Sequence, residues 1–238
     1  MINKAIDILA FGAHADDIEI GMGGTVAKYA SEGKSIVFCD LTQAELSSNG
    51  TVELRKQEAF ESANLLGVKE RINLQLPDRG LFLLDSYIRK ITSVIRYYRP
   101  KVIFAPYEVD RHPDHGNCSK LIQEAFFSAG IRKYETEDSL QQHKSKALYF
   151  YMINGFHHPD FCVDISQHFQ TKIKSLQSYK SQFVFESNGV ETPLTNGYIE
   201  TVEGRDRMMG KEVSVPFAEG FISSKPLILN KDLLGDVQ

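Results

Sequence analysis

Long apolar runs, paired cysteines and an excess of positive charge are all missing from this chain of 238 residues. The longest early apolar stretch, Ile6 to Ala13, contains Asp7 and runs straight into His14 and two aspartates. It is too short to span a bilayer and lacks the layout of a cleavable export signal, so no membrane association is expected. Cys39, Cys118 and Cys162 are odd in number, far apart and free of any Cys-x-x-Cys pattern. That usage fits a reduced, cytoplasmic protein in which cysteine serves as a small apolar residue. Lys and Arg number 27 against 31 Asp and Glu, a net charge of −4, so there is no basic field to recommend nucleic acid as a partner. A Gly-x-Ser-x-Gly elbow is absent, and no cysteine sits beside a histidine in sequence, which leaves no case for covalent nucleophilic catalysis. Internal repeats and low-complexity tracts are absent too.

What remains is ordinary in bulk, with 42% hydrophobic and 24% charged residues. The length allows one large α/β domain over residues 1–238 with a sizeable core. Ile6–Phe11, Ser35–Leu41, Arg71–Leu76 and Lys101–Ala105 read as short, buried strands. Amphipathic stretches separate them, clearest in Leu84, Tyr87, Ile88, Ile91, Val94, Ile95 and Tyr98, which share one helix face. A first helix is expected over 20–33, ending at Gly33, and Thr51 suits the N-cap of the second. A fourth runs from about Gly116 to Ala129 and stops at Gly130. The β-α-β-α order implies a Rossmann-like, mostly parallel sheet with helices on both faces. Ala147–Ile153 and Phe161–Ile165 add strands, and a helix follows from about Ser166 to Gln182. Residues 183–238 form a mixed tail with no separate domain, in which Asn188 to Asn196 reads as a surface loop.

In open parallel sheets, ligands bind outside the carboxyl ends of the strands. His14-Ala-Asp-Asp17 follows the first strand, Ser47–Arg55 the second, Asp78 the third and Asp110–His115 the fourth, so every polar cluster of interest falls on one rim. Three titratable groups packed into four residues at a strand end repel or perturb one another unless a cation or hydrogen bonds compensate. Alone, that segment reads equally as a helix-start turn in which Asp16 or Asp17 is the cap. Likewise, His112-Pro-Asp-His115 alone reads as a turn. Together they supply two histidines and a carboxylate for a divalent ion, Zn²⁺ or Fe²⁺, with Asp16 and His112 left over as an acid–base pair. Gly21-Met22-Gly23-Gly24 lacks the spacing of a dinucleotide loop, so close packing of helix on sheet is the better reading. Arg55 is either a solvated partner of Glu53 or Glu58 or a fork for an anionic or hydroxyl-rich substrate. Asp78 is either a turn residue or a binder of sugar hydroxyls. Nothing in the sequence connects His157 and His158 with the site.

The setting Ile8-Leu-Ala-Phe-Gly-Ala-His-Ala-Asp-Asp-Ile-Glu-Ile-Gly, together with Arg111-His-Pro-Asp-His115, resembles the PIG-L/LmbE-like family of zinc-dependent N-acetylglucosaminide deacetylases. Ser47-Ser-Asn-Gly-Thr51, Leu76-Pro-Asp-Arg-Gly80, Tyr151-Met-Ile-Asn-Gly-Phe-His157 and Ala218-Glu-Gly-Phe221 resemble its bacillithiol-synthesis branch, which acts on N-acetylglucosaminyl-L-malate. The resemblance implies zinc, or another divalent ion such as Fe²⁺, held by His14, Asp17 and His115. Asp16 would then be general base, His112 the acid or oxyanion stabiliser and Asp114 its orienting partner. Arg55 matches the arginine that meets the sugar. Relatives often form homo-oligomers, frequently hexamers. This chain has Ala15 where the family commonly has proline, and Asp110 where a tyrosine precedes the acid histidine by two, so a tyrosine oxyanion donor must come from elsewhere. A dicarboxylate aglycone needs a cation on the rim, with Arg55 first and Arg111 and Lys144 in reserve. Other N-acetylglucosamine sugars are the nearest alternative substrates. A non-haem iron oxygenase normally uses His-x-Asp/Glu on a β-barrel. A non-catalytic metal or sugar module has no need of Asp16 and His112.

Overall fold

The computed structural model describes residues 5–228 apart from 137, 186 and 188. Seven strands form one sheet: β1 (Ile8–Gly12), β2 (Ile36–Thr42), β3 (Glu70–Leu76), β4 (Val102–Pro106), β5 (Ala147–Tyr151), β6 (Phe161–Asp164) and β7 (Ala218–Ser223). Their spatial order is β3-β2-β1-β4-β5-β7-β6. The first five pair in parallel, whereas β7 is antiparallel to both of its neighbours. Every residue of β1 and β2 is buried, as expected of strands covered on both faces.

Helices α1 (Asp17–Ser31), α2 (Val52–Leu65) and α5 (Phe169–Gln177) pack together on one face. Helices α3 (Asp85–Tyr98) and α4 (Pro113–Ala129) pack together on the other. A short α6 (Lys180–Phe183) and α7 (Tyr198–Glu212) complete the set. Thr51 caps α2 by accepting from the Leu54 amide. In α3, Ile91, Ile95 and Tyr98 are buried while Leu84 stands exposed at the cap. Each such buried side chain contributes about 1.5–3 kcal/mol relative to exposure.

The sequence misplaces several boundaries for identifiable reasons. Helix α1 starts at Asp17 rather than 20, and α4 starts at Pro113, whose fixed φ and missing N–H suit a first helical position. The helix expected from Ser166 to Gln182 is interrupted at Ser178–Tyr179, where the Tyr179 side chain is fully buried. The unassigned tail supplies α7 and the interior strand β7; its last ten residues, 229–238, lie outside the described residues. The glycines of α1 behave as expected: a Cβ on Gly21 would lie 2.1 Å from the Tyr151 ring, and one on Gly24 would press on Ile165.

The chain progresses outward from β1 to β3 and then crosses back to place β4 against the other side of β1. Loops leaving β1 and β4 therefore diverge at a topological switch point, where such sheets bind ligands. The His14 and His112 segments are those two loops.

Candidate active site

His14 to Asp16 form the tight link from β1 into α1. Asp16 carries a φ of 107°, a left-handed conformation that non-glycine residues adopt at a cost of order 1–3 kcal/mol. The surroundings hold it there: Arg55 donates to the Asp16 carboxylate (2.8 Å) and to the Ala15 carbonyl (2.6 Å) through one nitrogen, and to Ser47 Oγ (3.0 Å) through the other. Arg55 is thus paired neither with Glu53 nor with Glu58, and Glu58 instead accepts from Ser181. Burial pushes the Asp16 carboxyl up to about 6 against the pull of Arg55.

Asp17 joins the two motifs. One of its carboxylate oxygens lies 3.1 Å from His115 Nε2, and the other accepts from the His14 amide at 2.9 Å. The other side of the His115 ring faces Asp110 Oδ1 at 3.0 Å. Burial disfavours the charged form of His115, but Asp17 and Asp110 outweigh it and raise its pKa to about 9. His14 Nε2 sits 3.2 Å from Asp78 and 3.6 Å from Asp114. The His14, His112 and His115 rings cluster, with centroids 4.8 to 5.6 Å apart. Donor atoms of these three histidines approach one another within 4.8 Å, as do those of His14, Asp78 and Asp114. Carboxylates ring these buried imidazoles, and imidazole with carboxylate is the donor chemistry of a divalent transition metal.

The fourth-strand loop is fixed from within. Asp110 accepts from the His112 amide and from both the backbone and side chain of Asn154. His112 caps α4 by accepting the Asp114 amide at its Nδ1, so Asp114 orients His112 through its backbone. The Asp114 carboxylate turns to Arg79. Asp78 accepts from the Leu46 amide with the oxygen that does not face His14. A cavity of about 290 Å³ opens over His14, Asp16, Asp17, His112 and His115, and Arg55 and Asp78 also line it.

The sequence pattern of the PIG-L family (GlcNAc-PI de-N-acetylase) matches residues 9–126, which contain both motifs. The chain is 31% identical over 194 residues to the diacetylchitobiose deacetylase of Thermococcus kodakarensis, covering 76% of this chain and 72% of that one. The chain belongs to the PIG-L family. Similar too is a conserved protein of Thermus thermophilus, whose crystal structure aligns with a TM-score of 0.86 at 36% identity over 94% of this chain and 97% of that one. A probable N-acetyl-alpha-D-glucosaminyl L-malate deacetylase 2 of Bacillus anthracis is 21% identical, over 84% of this chain and 92% of that one. The family is one of hydrolytic deacetylases, and this chain is an enzyme of it.

Within this PIG-L site, some lining residues carry no signal in the sequence. Tyr198 donates to the Asn154 side chain (2.9 Å) and the Ile153 carbonyl (3.1 Å) beside the cavity, and burial pushes its phenol up to about 12. It begins α7, in the stretch the periodicity left unassigned. Residues 192–194 also line the cavity, so the expected surface loop borders the site; Asn188, its first residue, lies outside the described residues. His157 packs its ring on Tyr107 and His158 is exposed, and neither lines the cavity. Arg111 lines the cavity, whereas Lys144 packs near Gly130 at the far end of α4, away from the rim. Among the described residues no helix is long and apolar enough to cross a membrane.

Proposed function

We propose that this enzyme is a zinc-dependent hydrolase that removes the N-acetyl group from an N-acetylglucosamine conjugate, with N-acetylglucosaminyl-L-malate as the preferred substrate. The observation that carries this reading is the convergence of His14, Asp17, His115 and His112 under one cavity with Asp16 beside them; the family resemblance selects His14, Asp17 and His115 as ligands and leaves His112 free. His14, Asp17 and His115 hold the ion in this proposal. A divalent ion there supplies the Lewis acidity that polarises the acetyl carbonyl and acidifies water.

The protein groups do the rest. Asp16, buried and gripped by Arg55, takes the proton from the attacking water as its oxygen bonds to the acetyl carbon. His112, whose Nδ1 accepts the Asp114 amide, donates a hydrogen bond through Nε2 to the oxyanion, and Asp16 gives the proton it took from water to the departing nitrogen as the C–N bond breaks. Acetate and a free glucosamine leave. Arg55 and Asp78 line the sugar pocket, and a malate carboxylate calls for a cation on the rim. A homo-oligomer, a hexamer by the family resemblance, and a cytoplasmic location belong to the same proposal.

A neutral disaccharide is the second reading, favoured by the higher identity to the diacetylchitobiose deacetylase than to the malate deacetylase. Acetate release from the two conjugates and from free N-acetylglucosamine, at equal ionic strength, separates them. The malate conjugate should have the highest kcat/KM. Equal values for all three would remove the malate assignment and keep the deacetylase, and no acetate from any would remove both.

A further inference from the structure

Helix α1 is two helices joined at a break. Met22 sits at φ −148° and ψ 20°, outside helical space, five residues after Asp17. In an unbroken helix the Gly24 amide would donate to the Ile20 carbonyl and the Thr25 amide to the Gly21 carbonyl. Here the Gly24 and Thr25 amides donate instead to the two carboxylate oxygens of Glu219, at 2.9 and 2.6 Å. The Ile20 carbonyl accepts from Arg205 at 2.6 Å. Glu219 belongs to β7 and Arg205 to α7. Both come from the far end of the chain.

These side chains are themselves held. Lys172 of α5 is wholly buried and donates to Glu219 (2.7 Å) and to Asp206 (2.6 Å), both about 1% exposed. Arg205 lies 3.6 Å from Asp206 and also donates to the Met152 and Ile153 carbonyls. Gly23 makes room for the Lys172 stem, since a Cβ there would lie 3.1 Å from Lys172 Cγ. A buried ion pair is a weak source of stability, because well-packed apolar side chains often serve as well. What apolar side chains cannot do is cap the amides of a helix that restarts in mid-course.

We infer that Glu219, Lys172 and Arg205 are positioning residues that fix the break in α1 and so aim its first turn, which carries Asp17, at His14 and His115. The inference rests on Asp17 being a metal ligand. Capping by Glu219 anchors the second segment, and Arg205 anchors the Ile20 carbonyl at the end of the first. The angle between the two segments decides where the Asp17 carboxylate points. Residues supporting a ligand in this way typically change metal affinity or activity roughly 10- to 100-fold when lost.

The test uses full-length Glu219→Gln, Arg205→Met and Arg205→Lys, with Ile122→Val as a control in the core on the opposite face of the sheet. Zinc affinity is read by competition with a chromophoric chelator, kcat and KM by acetate release, and the mobility of residues 16–25 by hydrogen exchange. Glu219→Gln and Arg205→Met should bind zinc roughly tenfold or more weakly, with kcat down and KM nearly unchanged, and exchange faster over 16–25. Arg205→Lys, which keeps a donor for Ile20, should recover most of the affinity. Wild-type zinc affinity in folded Glu219→Gln and Arg205→Met would overturn the inference, as would an equal loss in Ile122→Val. If Glu219→Gln does not fold, the two Arg205 variants decide. If the wild type binds zinc but releases no acetate, the hydrolase reading falls while the affinity and exchange measurements still decide this one.

Discussion

Lys172, Asp206, Glu219 and Arg205 beside the break in α1, and His14, Asp16, Asp17, Asp78, Asp110, Asp114 and His115 at its start, both bring carboxylates and basic side chains together away from bulk water. The first group closes on itself. Two carboxylates face Lys172 and Arg205, each within reach of at least one of the two cations, and two backbone amides use the remaining capacity of Glu219. The second group does not close. Its carboxylates outnumber Arg55 and the half-exposed Arg79, and His14 and His115 are driven toward the charged form to make up the difference. It also opens on a cavity. A cluster whose charges balance internally is framework, and one that must borrow positive charge is built for a ligand.

The largest way to break that contrast is to deny the second cluster its ion. Chelation should abolish acetate release, and Zn²⁺ should restore it; the same treatment should leave the fold, read by far-UV circular dichroism, intact. Activity that survives exhaustive chelation would defeat the metal assignment.

Next in size is Asp16→Asn. It should keep stoichiometric zinc by elemental analysis and lose about 10²- to 10⁴-fold in kcat, the usual cost of a general base. Full activity in the metal-replete variant would refute the role.

Stability tests the contrast from the other side. Lys172→Met leaves two buried carboxylates facing each other and should cost about 3–5 kcal/mol in urea unfolding. Asp17→Asn in chelated protein gives up the charge that faces His115 but keeps an oxygen for the His14 amide and relieves repulsion among the neighbouring carboxylates, so it should lower Tm less than Lys172→Met does while zinc binding is lost. The comparison collapses if both substitutions destabilise equally.

The smallest effect lies at the opposite end of the sheet. There the Lys101 ammonium above all, helped by the Ser35 amide, holds the Asp7 carboxyl down at about 2. A depressed carboxyl adds stability above its ordinary pKa near 4, and that stability is lost as pH falls from about 4 to 2. Because the pair is solvent-screened, Asp7→Asn should reduce the acid sensitivity of unfolding by less than about 1 kcal/mol.

Both motifs of the active rim were legible in the sequence because strand ends and loop polarity are local signals. Ile36–Thr42 and Val102–Pro106 announce themselves as apolar runs, and Thr51 as a cap, from neighbours alone. Other features depend on partners distant in sequence and left no local trace. Arg55 looked available to substrate until Asp16, 39 residues away, took one of its nitrogens. Arg71 ends up between Glu19, Asp40 and Tyr179, a junction of β3 with three other parts of the chain. Tyr198 and Glu219 sit on elements of weak periodicity whose purpose appears only where they dock.

One consequence of the sheet order concerns timing. Among the described residues β6 pairs only with β7, and β7 occupies the place between β5 and β6. During synthesis β1 to β5 can assemble as the ribosome delivers them, since domains gain structure from the amino end. Strand β6 must then wait for more than fifty further residues before it has a ladder to join, while the free edge of β5 stays open to any stray strand. The final sheet-forming step also brings Glu219 under α1. A nascent chain that stalls before β7 therefore presents a formed rim without its anchor, so metal binding should report completion of the fold.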